Sequence, residues 1–265
     1  MLLAAKAAVE ILQLHRAAAL PQWFWIACAI SAAFAVVVWL LRSATGPAAA
    51  MGGLVCLHVL LRQALGVTWM HTAMPSLLAL FLITFAATRF GRSRKESMGV
   101  AEGRHGRRAS QVLANLGVAG LFAAGGTAGS PVSRAILAAC IAALAEATAD
   151  TVSSETGQAL SGTRWGRTTL LITTGKHVPS GTDGGVTIAG TACGATAAAL
   201  IVLLSPFTHA AEAALIVFIA AIAGLIFDSY LGATLERKGW LGNDLVNFSS
   251  TVFSAAIAFA AVWLL

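Results

Sequence analysis

Carboxylates lie within or at the ends of long apolar runs at Glu146, Asp150 and Asp228. An ionised carboxylate inside a bilayer costs about 3 kcal/mol or more, so such residues mark candidate functional sites. Glu146, Asp150 and Ser154 fall on one helical face, with Glu155 beside them. Because hard cations prefer carboxylate and hydroxyl oxygens, this group indicates a divalent-metal site. The alternative is a set of hydrogen-bonded acids that tie helices together.

A glycine-rich loop runs from Thr173 to Gly185 and includes Thr174, Lys176 and the segment Gly181-Thr182-Asp183-Gly184-Gly185. Glycines let backbone N–H groups turn toward an anion, and such turns bind phosphate. Lys176 would add a positive charge and Thr182 a hydroxyl group. The spacing is not that of a Walker A loop, so from the residues alone a plain turn is an equal alternative.

A third group, Arg104, Arg108, Gln111 and Asn115, lines one helical face that enters the membrane, with Arg107 close by. Donors that lead inward suit the phosphate headgroup of a lipid whose chain lies in the bilayer. Anchoring of the helix by basic residues is the alternative, and it accounts for the arginines but not for Gln111 and Asn115.

Polar residues also interrupt the last two apolar runs. Asp228 is followed by Ser229, and a stripe at helical spacing comprises Asn243, Asn247, Ser250 and Ser254. Asparagine in a membrane span commonly joins helices through hydrogen bonds. Near the acids, the same amides could bind metal or phosphate oxygens.

The composition places these residues in a polytopic membrane protein. Of the 265 residues, 58% are apolar and 11% charged, and the mean hydropathy is +0.81, whereas soluble domains have about 25% charged residues. The net charge of +6 is unevenly distributed, so it indicates membrane topology and not nucleic-acid binding. The four cysteines lack paired spacing and support neither a disulfide framework nor a zinc site.

The apolar runs predict an all-α transmembrane bundle of about eight spans, with seven possible. The candidate spans are 22–41, 47–66, 73–89, 109–127, 133–152, 186–206, 212–233 and 247–265. Residues 1–21 are expected to form an amphipathic helix, and 22–265 a single transmembrane catalytic domain. With eight spans the basic linkers fall on one side, so we expect an integral membrane protein whose site faces the cytoplasm.

Four motifs follow one another in a specific order. They are Arg107-Arg108-Ala-Ser-Gln111-Val-Leu-Ala-Asn115-Leu-Gly117, Asp150-Thr-Val-Ser-Ser154-Glu155-Thr-Gly157, Ile172-Thr173-Thr174-Gly-Lys176-His-Val-Pro179-Ser-Gly181-Thr182-Asp183-Gly-Gly185, and Asp228-Ser229-Tyr-Leu-Gly232-Ala. In these motifs the chain resembles the transmembrane protein 19 family of integral membrane proteins over residues 20–265. That family includes the chloroplast phytyl-phosphate kinase of vitamin E synthesis. Val152 and Ser153 depart from the family pattern, where an aromatic residue and alanine are common.

The resemblance implies a phosphotransferase that moves a phosphoryl group from a nucleotide, with CTP expected, to an isoprenoid monophosphate such as phytyl or geranylgeranyl phosphate. We then expect Asp150, Glu155 and Asp228 to organise Mg²⁺, and Lys176 with the Gly181–Gly185 backbone to hold nucleotide phosphates. The acceptor phosphate is expected at Arg104, Arg108, Gln111 and Asn115. Further candidates for substrate contact are Thr173, Thr174, Thr182, Asn243 and Asn247, and Asp183 is a metal ligand or a loop stabiliser.

Two other functions use similar residues. A transporter or flippase of phosphorylated isoprenoid lipid also needs buried acids and basic loops, but its polar groups should continue to the far leaflet. A lipid cytidylyltransferase would share the site and differ in which phosphorus atom is attacked.

Overall fold

The computed structural model describes residues 22–61, 71–101, 103, 106–123, 130–164, 166 and 168–265. The predicted amphipathic helix at 1–21 lies outside the described residues, and so does Arg104.

Helices account for about three-quarters of the described fold. They are α1 (Gln22–Leu40), α2 (Gly46–Leu61), α3 (Met74–Arg89), α4 (Arg92–Ser97), α5 (Ala109–Ala123), α6 (Pro131–Ala159), α7 (Ile188–Leu203), α8 (Ala211–Leu231) and α9 (Asn243–Trp263). A 3₁₀ turn (Pro206–His209) precedes α8, and a π-helical turn (Gly232–Glu236) continues it. Between α6 and α7, β1 (Leu170–Leu171) pairs antiparallel with β2 (Gly185–Val186).

The predicted all-α membrane bundle is confirmed. Four helical segments are long and apolar enough to cross a bilayer: Gln22–Leu40, Pro131–Ala159, Ala211–Glu236 and Asn243–Trp263. Four shorter apolar helices, α2, α3, α5 and α7, occupy the positions of the remaining predicted spans. Helix α1 packs on α2 and exposes large apolar side chains, including Trp25 and Trp39, as expected of a helix facing lipid.

Helix α6 is the centre of the bundle and contacts α3, α5, α7, α8 and α9. Its residues 138–145 are all buried, and most of them are alanine. Because alanine has almost no side chain, neighbouring helices can approach closely, which favours helix association in lipid. Ser130 caps the helix by accepting a hydrogen bond from the Ser133 N–H at 3.1 Å.

Helix α6 continues past the predicted boundary at 152 to Ala159. The polar residues there satisfy their hydroxyl groups within the helix: Ser154 Oγ donates to the Thr151 carbonyl oxygen at 3.1 Å, and Thr156 Oγ1 to that of Val152. Serine and threonine can bond to the preceding turn in this way without leaving the helix. The extension places Asp150 and Glu155 on one rigid helix.

Glycines bring α7 and α8 close to α6. A Cβ atom on Gly194 would lie 2.6 Å from the Ala149 carbonyl oxygen, and one on Gly224 would lie 2.6 Å from Glu146 Cγ. At both positions a larger residue would block the close contact between helices that glycine allows. These contacts hold α7 and α8 against the acid-bearing part of α6.

Candidate active site

A polar cavity of about 250 Å³ opens at one end of the bundle, where α5 and α9 begin and α6 and α8 end. Its lining combines carboxylates, amides, hydroxyls and one arginine with the glycine-rich loop. The lining residues are Arg107, Gln111, Asn115, Asp150, Thr151, Ser153, Ser154, Glu155, Gly157, Gln158, Thr169, Ser180 to Thr187, Leu225, Asp228, Ser229, Gly232, Glu236, Asn243 and Asn247. All four sequence motifs contribute residues to this cavity.

The acids predicted from the sequence differ in depth. Asp150 and Asp228 line the cavity, from α6 and α8. Glu146 lies one turn further inside α6 and is 1% exposed, and its Oε1 has no hydrogen-bond partner among the described residues. Of the three acids that lie within or at the ends of the apolar runs, Asp150 and Asp228 therefore line the cavity, and Glu146 is buried beneath them.

Helix α9 holds the Asp228 carboxylate through two donors. Ser250 Oγ lies 3.1 Å from Asp228 Oδ2. With the Asn247 amide oriented to match its neighbours, its nitrogen donates to the same oxygen at 3.3 Å and to the Asn243 carbonyl oxygen at 3.2 Å. The Asn247 and Asn115 side chains approach to 3.1 Å. The predicted polar stripe of α9 thus joins α8 and α5 at the cavity wall.

Glu155 is paired with a lysine that the sequence analysis did not select. Lys95 of α4 is fully buried, and its Nζ lies 2.5 Å from Glu155 Oε2. The same ammonium group donates to the carbonyl oxygens of Thr88 at 2.8 Å and Ala87 at 3.2 Å. One carboxylate oxygen of Glu155 is therefore committed to Lys95, although the residue lines the cavity.

Arg107 is the arginine in the cavity wall. Its guanidinium donates to Thr151 Oγ1 at 3.2 Å and attracts Asp150 electrostatically. A parallel bridge fixes its backbone: the Arg107 N–H donates to the Ser43 carbonyl oxygen, and the Thr45 N–H donates to that of Arg107, each at 3.0 Å. This arginine is therefore held rigidly beside the acids.

Arg108 does not line the cavity, although it was predicted to share a face with Gln111 and Asn115. Helix α5 begins only at Ala109, so helical spacing does not extend back to Arg108. Gln111 does line the cavity, but its Oε1 accepts the Arg108 N–H at 2.7 Å and caps the start of the helix. Arg107 takes the position that helical spacing assigned to Arg108.

The glycine-rich loop forms a short hairpin that docks on the end of α8. Gly184 has a left-handed backbone with φ of +71°, and a Cβ atom there would lie 2.3 Å from the Ala233 nitrogen. The N–H groups of Thr182 and Gly185 close turns by donating to the carbonyl oxygens of Pro179 and Thr182. Residues 180–187 thereby form one side of the cavity.

The hairpin tip lies outside the cavity lining. Thr173, Thr174 and Lys176 are exposed, and the Lys176 N–H lies 3.3 Å from Thr174 Oγ1. Thr182 and Asp183 do line the cavity. The structure therefore separates the predicted phosphate loop into a lining segment and an exposed tip.

Glu236 is a lining residue that the sequence analysis missed. It ends the π-helical turn after α8 and interacts electrostatically with Asp150 and Asp183. Glu236 follows Gly232 by four residues and Asp228 by eight, and this helical spacing is the signal that could have identified it. Glu236 lies in the linker 234–246, which Arg237 and Lys238 mark as basic.

The donor set fits a hard cation only in part. No group of three or more His, Cys, Asp or Glu side chains within the described residues is close enough to hold a metal ion. Mg²⁺, however, commonly takes one or two carboxylates and completes its shell with water and substrate phosphates. Asp150 and Asp228, with neighbouring hydroxyl and amide oxygens, fit such a site. Glu155 fits it less well, because its carboxylate already forms an ion pair with Lys95.

Fold and site together define a polytopic integral membrane protein with an acidic and amide-rich cavity at one end of its helix bundle. The family model described as integral membrane protein DUF92 matches residues 29–255, and the chain belongs to this family. The family resemblance found in the motifs is confirmed. No solved structure matches the chain.

Curated relatives come from a cyanobacterium, a plant and an archaeon. An uncharacterized membrane protein of Synechocystis is 34% identical over 68% of this chain and 70% of its own length. The chloroplastic protein VTE6 of Arabidopsis thaliana is 34% identical over 68% of this chain, which spans 55% of VTE6. An uncharacterized membrane protein of Methanocaldococcus jannaschii is 36% identical over 68% of this chain and 72% of its own length.

Proposed function

We propose that this protein is a membrane-embedded, nucleotide-dependent kinase that converts an isoprenoid monophosphate to the diphosphate. The observation that carries the proposal is the juxtaposition of Asp150 and Asp228 with Arg107 and the glycine loop around one cavity. The relative VTE6, a phytyl-phosphate kinase, supports the reaction class. CTP as donor and Mg²⁺ as cofactor belong to the proposal.

The two sides of the cavity suit the two substrates. In the hairpin, the N–H groups of Gly181, Asp183 and Gly184 close no backbone turn among the described residues, and they suit the phosphates of a nucleotide. The Thr182 hydroxyl already donates to the Pro179 carbonyl oxygen at 2.7 Å. Arg107 and Asn115 line the cavity from α5 and the residues just before it, and they suit the acceptor phosphate. The acceptor chain can then remain in the apolar part of the bundle.

The reaction needs positioning and charge neutralisation more than covalent help from the protein. A phosphate oxygen of the acceptor attacks the γ-phosphorus of the nucleotide. The bond from that phosphorus to the β,γ-bridging oxygen breaks, which gives the isoprenoid diphosphate and a nucleoside diphosphate. An acceptor phosphate that is already ionised requires no general base.

The residues have separable roles in this step. Asp150 and Asp228 would hold Mg²⁺, which when bound neutralises charge on the nucleotide phosphates. Arg107 would orient the acceptor oxygen and offset the repulsion between two anionic substrates. Ser250 and Asn247 keep the Asp228 carboxylate in place, and the buried wall beneath it excludes water.

The position of the cavity favours an enzyme over a transporter. Its lining residues come from the N-terminal ends of α5 and α9 and the C-terminal ends of α6 and α8, which meet at one end of the bundle. Toward the other end, α6 is buried among apolar neighbours. A transport route would need polar groups along both halves.

The test uses purified protein in detergent with Mg²⁺, geranylgeranyl phosphate, and CTP labelled at either the α- or the γ-phosphorus. We expect the γ label, and not the α label, in the isoprenoid diphosphate, and we expect Asp150→Asn to abolish the product. Glu212→Gln is the matched control, because Glu212 is an exposed acid at the opposite end of the bundle. Incorporation of the α label would establish a cytidylyltransferase, and no product with folded protein would overturn the proposal.

Lys176 tests where the nucleotide lies. If the donor phosphates reach the hairpin tip, Lys176→Met raises the KM for CTP and leaves the KM for the acceptor unchanged. Lys238→Met is the control, because Lys238 is an exposed lysine near Trp240 in another linker. Unchanged kinetics in Lys176→Met would confine the nucleotide site to residues 180–187.

A further inference from the structure

A second, mainly apolar cavity lies beside the polar one and shares Arg107 with it as a wall. It is formed between α1, α2, α3 and α5. Phe34 and Val38 line it from α1, Gly52 from α2, and Phe81 from α3. The void is about 100 Å³, which is room for several water-sized groups.

One end of this apolar cavity is basic and polar. Arg42, Arg89 and Arg92 line it together with Arg107. Arg89 is held over the Phe85 ring, 3.6 Å from its centroid, and donates to the Leu41 carbonyl oxygen at 3.0 Å. A molecule that fits this cavity should therefore have an apolar body and an anionic end.

Ser43 supplies an independent sign that this end takes a polar ligand. It lines the cavity, and its Oγ is buried without a hydrogen-bond partner among the described residues. A buried hydroxyl without a partner costs free energy unless a ligand or water satisfies it. Ser43 is also the residue whose carbonyl oxygen accepts the Arg107 N–H, so the hydroxyl lies next to the wall that the two cavities share.

The apolar side of the cavity is walled by α1 and α3. Helices α1 and α3 meet across it through Phe34 and Phe81, whose ring centroids are 5.5 Å apart. Only 22% of the apolar window of α1 is buried within the protein. A chain that leaves the cavity beside α1 would therefore meet mainly apolar side chains of that helix.

We propose that this second cavity holds the phosphate-proximal part of the acceptor's isoprenoid chain, with its phosphate at Arg107 and the rest of the chain in the bilayer. The inference rests on the proposed function and specifies how the acceptor enters the site. The second cavity would then be the place where the enzyme distinguishes acceptors by their first isoprene units. The distal units lie outside it, among lipid.

Two glycines of α2 provide a matched test. Gly52 lines the cavity, and a Cβ atom there would meet Phe34 Cε1 at 3.6 Å, an ordinary contact, so Gly52→Leu adds its side chain to the cavity. Gly46 is exposed with nothing within 4 Å of a Cβ atom, so Gly46→Leu adds the same group outside it. We expect Gly52→Leu to raise the KM for geranylgeranyl phosphate about tenfold or more. We expect Gly46→Leu to match the wild type, and neither variant to change the KM for CTP.

A binding measurement separates this inference from the proposed reaction. Full-length wild-type protein is photolabelled with an isoprenoid phosphate that carries a diazirine on its first isoprene unit, and the labelled peptides are identified by mass spectrometry. We expect label in α1 and α3 around Phe34 and Phe81, competed by geranylgeranyl phosphate but not by phosphatidic acid. This result is independent of turnover and of whether the variants fold.

The outcomes distinguish the two claims. If the wild-type protein forms no diphosphate but is labelled at the cavity, the proposed kinase reaction is wrong and the proposed binding site for the isoprenoid chain stands. Diphosphate formation with label elsewhere, or with equal KM values for folded Gly52→Leu and Gly46→Leu, overturns the chain site alone. Equal competition by phosphatidic acid also overturns it, because the cavity would then be a general lipid site.

Discussion

Lys95 and Glu155 form a buried ion pair that joins α4 to the C-terminal part of α6. The Lys95 side chain is 1% exposed and that of Glu155 is 11% exposed. Two backbone carbonyl oxygens from the end of α3 also accept from the ammonium group. The pair therefore fixes the loop between α3 and α4 against the cavity wall.

Removal of Lys95 should destabilise the protein strongly. Lys95→Met leaves a buried carboxylate without its partner, which costs about 3 to 5 kcal/mol. In Arg92→Met, which breaks the exposed pair with Glu96 in the same helix, we expect a loss of about 1 kcal/mol or less. Thermal unfolding in detergent measures both, and equal losses would contradict the structural role of Lys95.

The double variant Lys95→Met/Glu155→Leu separates structure from chemistry. Because it removes both charges, it should recover much of the stability lost in Lys95→Met. If it recovers stability and activity together, Glu155 is structural and does not hold metal. If stability returns without activity, Glu155 acts in the site as the sequence analysis expected.

Arg107 should govern affinity for the acceptor. Arg107→Lys keeps the charge but loses the planar fork that can contact both Thr151 and a phosphate, so we expect the acceptor KM to rise about tenfold. Arg108→Met is the matched control, since Arg108 is the next residue and lies outside the cavity lining. Kinetics with varied acceptor and saturating CTP check this, and equal effects of the two variants would contradict the assignment.

The sequence predicted the location of the site more reliably than its individual contacts. The apolar runs and the acids Asp150 and Asp228 were recognisable because charge in a membrane span is costly and rarely accidental. In the structure these acids, the glycine loop and the amides line one cavity. The predicted order of the spans alone placed the motifs at the same end of the bundle.

Contacts that depend on helix ends and on burial could not be read from the sequence. Arg107, and not Arg108, lines the cavity because α5 begins only at Ala109. The end of a helix is uncertain by one or two residues, which is enough to choose the wrong arginine. Lys95 lies in a basic linker, and nothing in that linker distinguishes the one lysine that is buried. The pairing of Ser43 with Arg107 joins residues far apart in the chain, so it depends on tertiary structure.

Gly184 should be essential for the hairpin that lines the cavity. Gly184→Ala places a Cβ atom 2.3 Å from the Ala233 nitrogen, so the hairpin must move away from α8. Gly175 is the matched control in the same loop: its φ is +65°, but nothing lies within 4 Å of a Cβ atom. In Gly175→Ala we expect only the left-handed strain of about 1 kcal/mol.

Calorimetric titration with CTP and thermal unfolding distinguish these glycine variants. We expect Gly184→Ala to lose measurable CTP binding and Gly175→Ala to retain it with a slightly lower Tm. Retained affinity in Gly184→Ala would show that the hairpin does not need its docked position to bind nucleotide.

Asp228 should be required for turnover, and Ser250 should tune it. Asp228→Asn keeps the shape and the hydrogen bonds of the side chain but removes the charge, so we expect it to abolish diphosphate formation while the protein remains folded. Ser250→Ala removes one of the donors that orient the carboxylate and should lower kcat about tenfold, as loss of an outer-shell partner usually does. Ser249→Ala is the control, because the Ser249 hydroxyl is exposed and bonds only within its own helix, to the Leu245 carbonyl oxygen. If Asp228→Asn kept wild-type turnover, the charge at this position would have no part in the reaction, and a metal would have to bind at the other lining acids, which are Asp150, Glu155, Asp183 and Glu236.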